Sequence, residues 1–310
     1  MSGASRSQAH AAGAALPDRA AVGIVGVGNM GGGMAQRLLG LGWSVHVCDC
    51  NTERAHFLEQ KGAFRHNSPA LCATKSEALI VCVVDDVQTE DVLFGPQGVV
   101  QGLAAGRAVL LCPTLAPAVV EDFARRLQQA GFAVIDAPMS GGPQRAADGS
   151  MSLMLAAAPG VLAQHQTLLQ ALSARRFVIS ERVGDGARTK LVNNLLAGIQ
   201  LVGAAEVLAL ATRMGLDAER TLDVIGQSSG QSWIGEDRMR RAIAGDLAPR
   251  AHMTLLAKDT RLAVAAAQQA GWVGPLGPVA AEQFARAVAA GLAELDDAAM
   301  LRWLQQAQDS

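Results

Sequence analysis

Val22-Gly23-Ile24-Val25-Gly26-Val27-Gly28-Asn29-Met30-Gly31 is a short apolar run that ends in G-x-G-x-x-G and passes into a helix-like pattern, Met34 to Leu41. Such a strand–turn–helix joint has a physical use. Gly26 permits the tight turn, Gly28 lets the backbone approach a pyrophosphate, and Gly31 lets the helix pack close to the strand. Asn29 and Met30 lie in the same turn, where the free N–H groups and positive dipole end of a helix face an anion. Glycine turns without a ligand share this pattern. Here a strand precedes it and a helix follows, and Asp49 closes the next strand, Ser44–Cys48, about 20 residues on, where a carboxylate accepts hydrogen bonds from an adenosine ribose. The stretch therefore predicts a dinucleotide site.

Outward from it, strand and helix alternate. Thr52–Lys61 reads as a helix capped by Thr52 and ended by Gly62. Ser68-Pro69 opens a short helix, with Ser as N-cap and Pro at the first helical position. Ala78–Val84, Ala108–Leu111 and Phe132–Ile135 are apolar runs of the kind covered on both faces. Pro117–Ala130 reads as a helix closed by Gly131. Ser152–Ala156 and Phe177–Ile179 complete the strands. Repeated β-α-β predicts a right-handed, mostly parallel, doubly wound sheet.

From Gly184 the pattern carries no strand. Ala187 to Met214 reads as one helix, on the order of 40 Å long at about 1.5 Å per residue. It has no charge between Lys190 and Glu206 and is apolar on nearly every face. Such a helix is buried, wrapped by other helices or by a second subunit; its amides and short uncharged length make it a poor membrane span. Ala218–Gly226, Glu236–Ala244, Thr254–Ala270, Val279–Ala290 and Asp297–Gln306 read as further helices. The expected organisation is a disordered tail over 1–20, a Rossmann-type domain over 21–184, and an all-α domain over 185–310, joined by the long interdomain helix. The tail has no apolar core flanked by basic residues and is a poor secretory signal.

Ligands of open α/β sheets sit at the carboxyl ends of strands. Val83-Val84-Asp85-Asp86 and Cys112-Pro113-Thr114 fall there, as does Ala137-Pro138-Met139-Ser140-Gly141-Gly142-Pro143. Ser140, Gly141 and Gly142 offer a hydroxyl and unhindered N–H groups suited to a carboxylate, or form an ordinary glycine turn. In Gly184-Asp185-Gly186-Ala187-Arg188-Thr189-Lys190-Leu191-Val192-Asn193-Asn194, Lys190 and Asn194 share one helix face at i and i+4, with Asn193 beside them. A lysine there is either solvated at the helix end or, among apolar neighbours and against the dipole, lowered in pKa toward a working range. Lys258-Asp259 is a surface pair or part of a site. The six histidines are scattered, and none pairs with a nucleophile in a recognisable frame.

These residues carry a resemblance. The chain resembles the β-hydroxyacid dehydrogenases, the group of 3-hydroxyisobutyrate dehydrogenase and tartronate semialdehyde reductase. The marks are the glycine stretch, Asp136-Ala137-Pro138-Met139-Ser140-Gly141-Gly142, Gly184-Asp185-Gly186 with Lys190 and Asn193-Asn194, and Lys258-Asp259. The resemblance implies NAD(P)-linked oxidation of a 3-hydroxy acid, with Lys190 as acid/base and Asn194 orienting substrate. It implies carboxylate contacts from Ser140, Gly141 and Gly142, a cofactor lining that includes Val83, Val84 and Thr114, and Lys258 reaching cofactor or substrate. It also implies an oligomer, a homodimer or homotetramer. Within the family, Gly230-Gln231-Ser232-Trp233-Ile234-Gly235 and Gly245-Asp246-Leu247-Ala248-Pro249-Arg250 look most like the L-threonate dehydrogenase branch. That branch tends to carry His-Gln where this chain has Asn193-Asn194. A catalytically silent scaffold and an imine reductase share the architecture, and Lys190 argues against both.

Composition bounds the rest. The 310 residues are half hydrophobic and 17% charged, with net charge −2 and no Tyr. Such a chain has no electrostatic case for nucleic acid or an acidic membrane surface and no base-stacking platform. Five unclustered cysteines fit a reducing, cytoplasmic compartment, and no Cys/His spacing suggests a metal. Asp49 would repel a 2′-phosphate, and Cys50 and Asn51 follow it, so no arginine stands adjacent to receive one; NAD is the expected cofactor. The loop Ser228, Ser229, Gln231 and Ser232, next to Trp233, is either plain solvated loop or a source of donors for further substrate hydroxyls. The second option, with Gln231 and Trp233 as substrate contacts, favours a four-carbon sugar acid such as L-threonate over 3-hydroxyisobutyrate.

Overall fold

The computed structural model describes residues 20–306, so the expected N-terminal tail lies outside it but for Ala20. The chain divides into two compact units. One takes the chain up to Pro113 together with Val119–Gly186; the other takes Thr114–Ala118 and everything from Ala187 onward.

The first unit is built in the order β1 (Val22–Val25), α1 (Asn29–Gly40), β2 (Val45–Cys48), α2 (Thr52–Glu59), β3 (Phe64–Arg65), α3 (Pro69–Ala73), β4 (Ala78–Val81), α4 (Asp86–Phe94), β5 (Ala108–Leu111), α5 (Pro117–Gln129) and β6 (Ala133–Asp136). There follow β7 (Met139–Ser140), α6 (Gly142–Asp148), β8 (Ser152–Ala156), α7 (Pro159–Gln164), α8 (Gln166–Leu172) and β9 (Arg175–Ser180). The strands form one nine-stranded sheet, β3-β2-β1-β4-β5-β6-β8-β7, with β9 paired to β8. The pairs from β3 to β6 are parallel; β8 runs antiparallel to β6 and β7. The chain leaves β1 toward β2 on one side and returns to β4 on the other, so the switch point opens above β1 and β4, where ligands of such sheets bind. β1, β4 and β5 are buried throughout, which their continuous apolar sequences require.

Several expected boundaries move. The run Ala78–Val84 is strand only to Val81, because its neighbour β1 ends at Val25 where Gly26 turns away. Asp85 then caps α4, its Oδ1 accepting from Gln88 N at 2.8 Å. The cap of α2 is Asn51, not Thr52: Asn51 Oδ1 accepts from Glu53 N and Arg54 N, both at 3.1 Å. Ser68 caps α3 as its Ser-Pro pair predicts. β3, α4 and the short β7, α6, α7 and α8 carry no signal long enough to read in the sequence.

The second unit contains α9 (Asp185–Arg213, whose first turn opens the helix at the end of the first unit), α10 (Ala218–Gly226), α11 (Trp233–Ile243), α12 (Met253–Gln269), α13 (Leu276–Ala287) and α14 (Met300–Gln306). Its core gathers Leu201, Ala205 and Leu208 of α9 with Met239, Met253 and Phe284. By length and composition α9 could cross a membrane, yet this face lies in a helical core. Of the two coverings expected for α9, the unit's own helices supply one on a single face within the chain. Val192, Leu196, Val207 and Leu210 are 71, 55, 46 and 56% exposed. The other helices of the unit reach only one side of α9.

An acidic knot closes the second unit. Asp296 is fully buried and accepts from Arg250 N at 2.7 Å, Ala251 N at 3.1 Å and Ala298 N at 3.0 Å, and pairs with Arg241 Nη2 at 3.0 Å. Burial alone would raise its pKa; Arg241 and the three N–H donors outweigh it and hold the carboxyl at about 2. Asp297 beside it, paired with Arg238 at 2.5 Å, is instead pushed up to about 7 by burial. The two are separable by pH. A depressed carboxyl contributes stability above its unfolded pKa of about 3.9 and loses it as pH falls through the folded value. The raised Asp297 contributes below about 3.9 and loses that as pH rises through its folded value. Asp296→Asn is therefore expected to lower unfolding free energy by roughly 3 kcal/mol at neutral pH, since it removes the fully buried carboxylate partner of Arg241 and leaves that guanidinium the partly exposed Asp246 at 3.5 Å as its nearest remaining acid. Urea titrations at pH 7 and pH 3 should show the difference shrinking at the lower pH.

Candidate active site

The glycine turn after β1 is tight for steric reasons. Gly26 has φ +88, and a Cβ there would lie 2.5 Å from Cys82 O. A Cβ on Gly31 would lie 2.0 Å from Gly26 O, so α1 packs against the turn only with glycine at that position. A Cβ on Gly28 would meet only the tip of Arg54, at 3.2 Å. Backbone at Gly28 is thus open to a close approach. Gly28 is also the N-cap of α1 and brings no side-chain acceptor, and the first turn, which begins at Asn29 and Met30, holds no acid. The positive dipole end of α1 would therefore face an anion with no acid in its first turn. A cavity of about 430 Å³ lies here, with Gly28, Asn29, Gln36, Arg54, Phe57 and Pro143 in its wall. These features fit a dinucleotide phosphate.

Asp49 ends β2 facing the same turn. Its Oδ2 accepts from Val27 N at 2.6 Å and its Oδ1 from Asn51 N at 2.7 Å. One carboxylate thus ties the glycine turn to the start of α2. Val83 lies against the turn, its Cγ1 2.9 Å from a Cβ placed on Gly26, while Val84 is half exposed and its N–H donates to Gln88 Oε1. Ser140 ends β7; Gly141 and Gly142 follow with φ +134 and +78, a backbone that L side chains rarely adopt. Two successive glycines are needed for that turn into α6. Asp136, at the end of β6, is buried and accepts from Gly184 N at 2.8 Å, which fixes the start of α9. A Cβ on Gly186 would strike that carboxylate at 2.9 Å, and this is a physical reason for glycine there.

The second unit holds the other constellation. Lys190 and Asn194 share one face of α9, and both are buried. Asn194 Nδ2 donates to Asp259 Oδ2 at 2.6 Å, and Asn193 Nδ2 donates to Asn194 Oδ1 at 3.0 Å. Asp259 also pairs with Lys258 Nζ at 2.8 Å, and Lys258 Nζ donates to Thr114 O at 2.6 Å. Thr114, Lys258, Asp259, Asn194 and Asn193 are therefore joined in one run by three hydrogen bonds and the Lys258–Asp259 ion pair. Among the described residues the Lys190 ammonium carries no ion pair. Burial pushes its pKa down to about 8; the Asp259 carboxylate opposes this and the Lys258 charge adds to it. Sequence reading named Lys258-Asp259 as a pair but not Asp259 as the residue that orients Asn194; a carboxylate 65 residues away leaves no local signal for that.

The polar loop before α11 is solvent-exposed over Ser228, Ser229 and Gln231. Ser232 has a structural job: its Oγ accepts from Gly235 N at 3.1 Å and caps α11. Trp233 is half exposed, with Arg238 5.9 Å from its ring centroid. Among the described residues no group of three or more His, Cys, Asp or Glu is placed to hold a metal. All five cysteines are free.

Comparison with known proteins agrees with both halves. Residues 21–180 match the family described as the NAD binding domain of 6-phosphogluconate dehydrogenase. Residues 184–304 match that described as the NAD-binding of NADP-dependent 3-hydroxyisobutyrate dehydrogenase. The L-threonate dehydrogenase of Cupriavidus necator is 34% identical over 281 residues, 91% of this chain and 95% of that protein. A crystal structure of 3-hydroxyisobutyrate dehydrogenase from Salmonella typhimurium is similar at a TM-score of 0.86 and 33% identity, covering 91% of this chain and 99% of that one. Psf3, solved in complex with NADP+ and 2-OPP, gives a TM-score of 0.85 at 27% identity over 91% of this chain and 99% of that one. With a dinucleotide turn in one unit and a buried lysine in the other, the chain belongs to the 3-hydroxyisobutyrate dehydrogenase-related family of NAD(P)-dependent hydroxy-acid dehydrogenases.

Proposed function

We propose that the chain oxidises a four-carbon sugar acid such as L-threonate with NAD, and that Lys190 is the base. The observation that carries the reading is Lys190 itself: buried, without an ion pair among the described residues, and held at about 8 next to an oriented asparagine. The bound cofactor supplies a hydride acceptor; Gly26, Gly28, Asn29, Met30, Gly31 and Asp49, with Val83, Val84, Thr114 and Lys258, are the residues proposed to hold it. Everything else is done by this chain. The neutral Nζ of Lys190 takes the proton of the reacting hydroxyl as the hydride leaves the same carbon; in the reverse direction the ammonium returns it. Asn194, its amide turned by Asp259, holds the hydroxyl oxygen with its remaining N–H. Ser140, Gly141 and Gly142 are proposed to take the carboxylate, and Asn193, Gln231 and Trp233 to line the remainder of the substrate.

Support for the sugar acid is the likeness to L-threonate dehydrogenases together with the exposed donors of Ser228, Ser229 and Gln231. Support for NAD is the Asp49 carboxylate at the end of β2, which would repel a 2′-phosphate. The five free cysteines suit a cytoplasmic protein. The exposed apolar stripe of α9 is the surface proposed for self-association into a homodimer or homotetramer.

Lys190→Met is expected to lower kcat by roughly 10²–10⁴ while NADH still binds by fluorescence titration. In the wild type, kcat/KM for oxidation should rise with pH through an apparent pKa near about 8. Because the Asp259 charge raises that pKa and the Lys258 charge lowers it, Asp259→Asn should move the limb toward acid and Lys258→Gln toward alkali. Near-normal turnover in the Lys190 variant would assign the proton transfer to another group.

A panel of L-threonate, D-erythronate, D-glycerate and 3-hydroxyisobutyrate, each with NAD and NADP, tests the substrate and the cofactor together. The expected order puts L-threonate with NAD first, with Gln231→Ala narrowing its lead and Asp49→Ser improving NADP relative to NAD. A wild-type preference for 3-hydroxyisobutyrate, or comparable kcat/KM for both cofactors, would defeat the corresponding half. Light scattering should give a dimer or tetramer mass that falls toward the monomer in Leu196→Glu; a monomeric wild type would remove the proposed role of the α9 stripe.

A further inference from the structure

Sequence adjacency around Asp49 shows no arginine, but the fold brings one in. Arg54 lies in the first turn of α2, and its Nη1 comes within 3.2 Å of the position a Cβ on Gly28 would take. Three local bonds set that reach. Asp49 Oδ2 holds Val27 N of the glycine turn, Asp49 Oδ1 holds Asn51 N, and Asn51 Oδ1 caps α2 through Glu53 N and Arg54 N. The guanidinium is thus tied, through one carboxylate and one helix cap, to the backbone it overhangs.

Charge and exposure make the placement notable. Among the described residues Arg54 forms no ion pair, whereas Arg126, Arg182, Arg238, Arg240 and Arg241 are each paired with an acid. It is the one cationic side chain in the wall of the cavity beside the glycine turn, and Glu53 is the one acidic one. α1 contributes only its dipole end and N–H groups to an anion there, since Gly28 and the first turn bring no charged group. A pyrophosphate carries two negative charges, and a planar guanidinium fork is the side chain best shaped to take phosphate oxygens.

We propose that Arg54 is a phosphate-binding residue of the dinucleotide site, which takes the pyrophosphate charge where the cofactor passes Gly28. It serves NAD and NADP alike, because the pyrophosphate is common to both, and Asp49 at the end of β2 keeps the 2′-phosphate position acidic. The inference rests on dinucleotide binding by this family and is independent of the substrate.

The test is binding, read by calorimetry with the full-length protein and three probes: NADH, NADPH and ADP-ribose. Arg54→Ala is expected to weaken all three by about tenfold or more at low salt, the loss of a charge-assisted hydrogen bond. Arg54→Lys should recover part of the loss, as a point charge without the fork. Added salt should weaken wild-type binding more than that of the alanine variant, since it screens the exposed cation. Arg54 is exposed, so the variants are expected to keep the wild-type melting temperature. Unchanged affinity for NADH and ADP-ribose would overturn the proposal. A loss confined to NADPH would overturn it as well, by moving Arg54 to the 2′-phosphate. A wild-type protein that binds none of the probes would refute dinucleotide binding itself.

Discussion

A lysine ammonium taken out of water is the constraint around which the second unit is arranged. Desolvation disfavours the charged form, and one ion pair made directly with Lys190 would restore it and spoil the base. Asp259 meets this by acting at one remove. Its carboxylate is spent on Asn194 Nδ2 and Lys258 Nζ, so it reaches Lys190 as a field and not as a contact. The Lys258 charge opposes that field, and its Nζ is anchored on Thr114 O. The result is a lysine near about 8, available as base or acid around neutral pH.

The first unit shows a similar economy at Asp49. One carboxylate accepts from the glycine turn and from the start of α2. Gly31, which no larger residue could replace against Gly26 O, lets α1 pack on the turn, and the Asp49 and Asn51 bonds set Arg54 near Gly28. A fixed helix N-terminus and one side-chain cation make a complementary pair for an anion: the first gives position, the second charge.

How much of this the sequence carries depends on the range of the physics. The glycine turn, the Ser68-Pro69 helix start and the i, i+4 face of Lys190 and Asn194 rest on bonds and sterics within a few residues, and all are legible. Asn194–Asp259, Asp136–Gly184 and Arg54 over Gly28 depend on chain segments far apart in sequence, and local pattern contains none of them. Gly141 and Gly142 hide α6 in the sequence, because their positive φ values make a turn that leads into a helix and does not end one. The exposed stripe of α9 was illegible for another reason. Its sequence is apolar on every side, so periodicity cannot distinguish the core face that carries Leu201 and Leu208 from the face that carries Val192 and Leu196.

The loop before α11 marks where sequence argument weakens. Four small polar residues looked equivalent, yet Ser232 is committed to Gly235 N as a cap and Gln231 is solvent-exposed. Substrate choice rests on such side chains; the proton chemistry rests on Lys190. The most direct measurement is therefore the titration of Lys190 itself, by competitive labelling of its amine across pH with quantification of the peptide that contains it. A reactivity curve with a midpoint near about 8 is the result predicted. A midpoint above about 10, the value of an ordinary solvated lysine, would contradict the account.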